Sequence, residues 1–209
     1  MAQLAEADQL IRAKQPAEAI AKTLDPVIAH YEASYANSPK KIYCSRSPEE
    51  ALMYMMASAV AKQSALALGS TWADAYHMKS YALIELGAVV AARDALLKAV
   101  ALSPQNALYL GELGYTYQAD KSWELALETF KRAEQAAHLS PKDQRISEET
   151  RALRGEGYVL VELGQLDEAA VAYRKALTLN PDDRQSKAEL GYIDSLKAKR
   201  AAADAPAAR

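Results

Sequence analysis

The sequence predicts an all-α chain of stacked antiparallel helix pairs, about ten helices in all with essentially no strand. Three observations carry this. A pattern of Tyr, Ala and bulky residues recurs at near-constant spacing. Turn signals fall at fixed places within each recurrence. Half of the 209 residues are apolar and a quarter charged, with only 8 Gly and 8 Pro, so the chain can bury a core.

The pattern is read from Tyr81, Tyr115, Tyr158 and Tyr192, which stand 34, 43 and 34 residues apart. A small residue precedes each: Ser80, Gly114, Gly157 and Gly191. Ala92, Ala126 and Ala169 follow the first three Tyr by 11 residues, then Leu96, Phe130 and Tyr173, then Ala99, Ala133 and Ala176. This periodicity predicts a helix, a short turn and a second helix per unit. Small residues let the pair approach, and the bulky residue fills the space between units. Gly87 and Gly164 suit the left-handed end of a helix. Pro104 and Pro181 stop the second helix. A unit of this size cannot bury its own apolar face, so neighbours must stack.

These motifs resemble the tetratricopeptide repeat, best in Gly157-Tyr158 through Leu163-Gly164 to Ala169, Tyr173 and Ala176. The resemblance implies a right-handed α-solenoid. It divides residues 73–183 into three units at 73–106, 107–140 with an extension to 149, and 150–183. The second unit departs from the pattern: Asp120-Lys121-Ser122 lacks the turn Gly, and nine extra residues precede the third unit. Those residues are read as a longer second helix plus a loop at Ser140-Pro141-Lys142. Residues 184–200 then form a capping helix, with Lys197, Lys199 and Arg200 polar, and 201–209 a disordered tail.

Residues 1–71 follow the pattern less closely. Helices are expected at Gln3–Lys14, Ala17–Ala36 and Pro48–Leu68, the first two a diverged repeat with Ala7 facing Ala19. Pro26 should kink the second. A loop is expected from Asn37 to Ser47, with Ser47 capping the third helix ahead of Glu49 and Glu50.

Catalysis has little support. His30, His77 and His138 lie in different segments without metal-ligand spacing, and Cys44 has no evident base. No Gly-rich phosphate loop is present. The expectation is a non-enzymatic chain with no cofactor and no metal. The 25 basic residues against 27 acidic ones argue against nucleic acid as a partner. No apolar run is long enough for membrane insertion. The acidic start suggests no signal peptide, hence a cytoplasmic location, or a periplasmic one had a signal been removed ahead of Met1.

The resemblance implies a concave face lined by the first helix of each unit. Tyr81, Tyr115, Tyr158 and Tyr192 fall there by register, with His77, Glu85, Gly111, Gln118, Arg151, Arg154 and Glu162 nearby. The expected function is an adaptor or scaffold that binds a peptide segment of a protein partner in this groove. The tyrosines could instead only pack between helices. Arg151 and Arg154 could meet an acidic ligand group, or Glu148 and Glu149 on their own helix. Gly111 would leave room for a bulky ligand group, or for a small molecule. In the family's peptide clamps, Lys and Asn hold a C-terminal carboxylate. Those registers here read His77, Gly111 and Arg154, and Tyr throughout, so no such clamp is expected. The alternative is a structural subunit of a homo- or hetero-oligomer assembled through the N-terminal helices. Met53, Met55 and Met56 form its candidate interface, although core is the expected place for most of that cluster.

Overall fold

The computed structural model describes residues 2–204. Its elements are α1 (Ala2–Arg12), α2 (Pro16–Ala19), a π-helical turn (Ile20–Leu24), α3 (Asp25–Tyr35), β1 (Lys41–Ser45), α4 (Pro48–Val60), β2 (Ala65–Gly69), α5 (Thr71–Glu85), α6 (Val89–Leu102), α7 (Ala107–Ala119), α8 (Trp123–Ala136), a 3₁₀ turn (Ala137–Leu139), α9 (Arg145–Glu162), α10 (Leu166–Leu179) and α11 (Arg184–Asp204). The helices pack in sequential antiparallel pairs, α5 with α6, α7 with α8 and α9 with α10, and α11 closes on α10. This is an all-α helical-repeat solenoid.

The repeat pattern becomes packing directly. Ala92, Ala126 and Ala169 are fully buried, as are Leu96, Phe130 and Tyr173 within 1%. Phe130 lies so close to α7 and α9 that a Cβ on Gly114 would fall 2.7 Å from its ring and one on Gly155 only 2.4 Å. Each hairpin turns in the same way. The amides of Ala88, Ser122 and Gln165 reach back five residues to the carbonyls of Leu83, Tyr117 and Leu160. Gly87 and Gly164 take φ near +75° in these turns, and Lys121 takes +58° without being glycine. The hairpin of α1 and α2 shows the same turn, with Gln15 bonded to Leu10 and Lys14 at φ +60°. Ala7 and Ala19 are both fully buried there.

Several expectations are corrected. The 11-residue α3 begins with Asp25-Pro26, and the kink takes the form of the preceding π-turn: Pro26 has no amide, and the Asp25 amide bonds Ile20. The nine extra residues do not lengthen α8, which has 14 residues like α6 and α10. They form the 3₁₀ turn, a loop and an extended N-terminus of α9, so the third unit starts at Arg145, not at 150. Residues 201–204 continue α11; the remainder of the expected tail, 205–209, lies outside the described residues.

The largest correction lies in residues 37–71. Lys41–Ser45, within the expected loop, and Ala65–Gly69, which overlaps the end of the expected Pro48–Leu68 helix, form a two-stranded parallel sheet, Lys41 opposite Ala65 through Ser45 opposite Gly69. The 13-residue α4 is the crossover between them. The chain leaves α4 through Lys62 at φ +53°, with Gln63 bonded back to Ser58. Ala65-Leu66-Ala67-Leu68 then continues extended, because strand pairing overrides its helix propensity.

Candidate functional site

The first helices α5, α7 and α9 lie side by side, and their shared face holds a chain of polar contacts. The Tyr81 hydroxyl donates to Glu112 Oε1 at 3.3 Å. Arg151 pairs with that same oxygen at 2.7 Å, and its guanidinium stands 4.9 Å from the centre of the Tyr115 ring. Tyr81, Glu112, Arg151 and Tyr115 thus join three helices. His77 sits behind Tyr81, edge-on at 5.5 Å, and 5.0 Å from Tyr109, whose hydroxyl donates to Asp74. Its Nε2 is buried without a partner, and burial pushes its pKa down, so it stays neutral.

Beside this chain the face opens. A Cβ on Gly111 would meet nothing within 4 Å. It borders a cleft of about 340 Å³ lined by Leu108, Gln144, Ser147, Glu148, Arg151 and Arg154. A second cleft, about 410 Å³, lies between α1 and α5, walled by Ile11, His77, Met78 and Tyr81. Lys14 and Glu85 pair across its rim at 2.8 Å.

The expected site residues divide accordingly. Gly111, Arg151 and Arg154 line the first cleft and His77, Tyr81 and Glu85 the second, while Tyr115 reaches the first only through Arg151. Arg151 pairs with Glu112 and Arg154 with Asp183 at 3.1 Å, so neither uses Glu148 or Glu149. Gln118 lies half-buried toward the end of α7, its Oε1 without a partner. Tyr158 lies 6.4 Å from the Trp123 ring, and it, Tyr192 and Glu162 are exposed without lining either cleft. Tyr115 also packs edge-on against Phe130 at 5.0 Å, so its ring serves the core as well.

Sequence reasoning missed Glu112, which bridges Tyr81 and Arg151. It also missed a buried cluster at the groove's edge. Arg46 forms two bonds to Glu148, at 2.7 and 3.1 Å, and Ser140 donates to the same carboxylate at 2.6 Å. Glu50, read as a helix-dipole residue, is 1% exposed; it accepts from the Arg46 amide and the Tyr54 hydroxyl. Tyr54 in turn accepts from the Gln105 amide at 3.1 Å. Only the spacing of Arg46 and Glu50 hinted at this in sequence. The cluster fastens the β1–α4–β2 unit beside the Gly111 cleft.

The remaining chemistry is sparse. Cys44 is fully buried and its thiol is pushed up to about 11 by that burial. Among the described residues no group of three or more His, Cys, Asp or Glu could hold a metal. No described helix is long and apolar enough to cross a membrane. Met53, Met55 and Met56 are not core: all three are exposed on α4.

Two family models match the chain, one described as tetratricopeptide repeat over residues 73–106 and one as TPR repeat over 157–193. Solved structures share the fold. The first TPR of Spaghetti (RPAP3) bound to HSP90 peptide SRMEEVD is 22% identical, covering 63% of this chain and 97% of its own, with a TM-score of 0.55. A putative kinesin light chain of Podospora anserina with nearly identical TPR-like repeats is 16% identical, covering 97% of this chain and 88% of its own, with a TM-score of 0.61. The MamA RS-1 ArsTM double mutant is 18% identical, covering 93% and 83%, with a TM-score of 0.60. No curated protein sequence is detectably similar.

Proposed function

We infer that this chain, a tetratricopeptide-repeat protein, is a non-catalytic protein-interaction module that takes a peptide segment of a partner in the groove of α5, α7 and α9. The observation that carries this is the open cleft at Gly111, flanked by the Tyr81–Glu112–Arg151–Tyr115 chain. A ligand side chain enters beside Gly111, and the ordered polar chain next to it supplies hydrogen-bond partners at little entropic cost. Structures of this fold titled as bound to HSP90 and HSP70 peptides support peptide as the ligand class.

The groove's charges are largely matched within the protein: Arg151 by Glu112, Arg154 by Asp183 and Lys14 by Glu85. It therefore selects an apolar or aromatic anchor rather than a charged one, because a charged group would have to displace a made ion pair.

The test is a blocking variant. Gly111→Leu projects a side chain into the cleft from a Cβ that meets nothing within 4 Å, and it raises helix propensity, so the fold persists. Peptides selected from a displayed library on the wild-type protein should lose at least ~10-fold in affinity on Gly111→Leu. Equal binding to both proteins would place the ligand elsewhere.

A further inference from the structure

α4 packs against the two-stranded sheet, and its outer side is bare. Glu50, Tyr54 and Ser58, four apart, are its buried stripe. Leu52, Met56 and Val60, also four apart, form the opposite stripe, with Leu52 and Met56 61% exposed and Val60 87%. Met53 and Met55 flank it, each over one-third exposed. No charged residue occurs from Ala51 to Ala61. Charge returns at the two ends only: exposed Glu49 in the first turn, and exposed Lys62 just past the last.

We propose that this face is the two-fold interface of a homodimer, α4 packing antiparallel on α4 of a second copy. The pattern is self-complementary, which an isologous contact requires. With the axis at Met56, Leu52 meets the partner subunit's Val60, and Met56 meets the partner subunit's Met56. The same operation brings Glu49 opposite the partner subunit's Gln63, within side-chain reach of the partner subunit's Lys62 one residue earlier, at both ends of the pair. Antiparallel helices also oppose their dipoles favourably. Glu49 is ionised, its carboxyl held below the usual range by its own backbone amide and by Ser47. The five apolar side chains expose on the order of 500 Å² per copy, so a pair buries on the order of 1,000 Å², the size at which specific interfaces begin. A contiguous patch of this size, free of charge, is of the kind that marks a protein contact. None of the exposed α4 residues lines the Gly111 cleft, so the dimer presents two open grooves.

The experiment is mass in solution at micromolar concentration, with variants that report the axis. The wild type runs as two copies. Met56→Glu sets two carboxylates face to face and lowers dimer affinity at least ~100-fold, with circular dichroism unchanged. Glu49→Lys weakens the dimer, and adding Lys62→Glu restores it. Met56→Cys forms a disulfide with its own counterpart, because that position lies on the axis; Val171→Cys, exposed on α10, does not. The native Cys44 is buried and does not interfere. A wild type of single-copy mass overturns the proposal. So does a dimer that survives Met56→Glu while Met56→Cys stays reduced.

Discussion

Glu156 is the residue at which burial and charge conflict most openly. It lies on α9, 7% exposed, with Oε1 lacking a partner, and burial, aided by Glu134, lifts its carboxyl to about 7. The folded protein then binds a proton that the unfolded chain, near 4.5, releases. Stability should therefore fall as pH rises from 4.5 through 7. Glu156→Gln removes that slope and adds roughly 1–3 kcal/mol at pH 8, measurable by thermal melts across pH. Arg46 and Glu148 are the opposite case, a buried pair with its bonds made. Glu148→Ala strands the guanidinium and costs roughly 3–5 kcal/mol, read by denaturant titration. The Arg46–Glu148 pairing was not legible in the sequence, because burial of a charge depends on contacts from distant segments: the two are 102 positions apart.

At the scale of the element, the turns were the most legible part. Gly87 and Gly164 announced the left-handed position, and Lys121 occupies the same place at φ +58°. Lys121→Gly should stabilise by up to about 1 kcal/mol, seen as a raised melting temperature with no change in helicity. Glycine within helices behaves differently. Gly155→Ala drives a methyl into the Phe130 ring and should cost about 1–3 kcal/mol, whereas Gly191→Ala meets nothing and should be neutral or stabilising. The strands were illegible for a physical reason. Ala65-Leu66-Ala67-Leu68 carries no turn residue and no strong β-former, so only its pairing with β1 decides its state. The π-turn before Pro26 was legible as a disturbance but not in kind.

For the whole molecule, the periodic pattern from residue 73 onward was enough to fix the solenoid, since each unit contacts mainly its neighbours. The candidate groove was half legible. Register put His77, Tyr81, Gly111, Arg151 and Arg154 at one face, but it could not show that Glu112 and Asp183 already hold the arginines. The clasp between Arg46 and Glu148 also governs how the chain assembles. An array of neighbours alone can nucleate anywhere and fray from either end. Here a segment near residue 46 must find one near 148, so α4, β2 and the helix pairs α5–α6 and α7–α8 are enclosed in a loop of about a hundred residues whose closure carries an entropy cost. That raises contact order, so folding should be slower than for an open array of equal length. Amide hydrogen exchange should show one cooperative block from α1 to α9, and only α10 and α11, beyond the clasp, should open on their own.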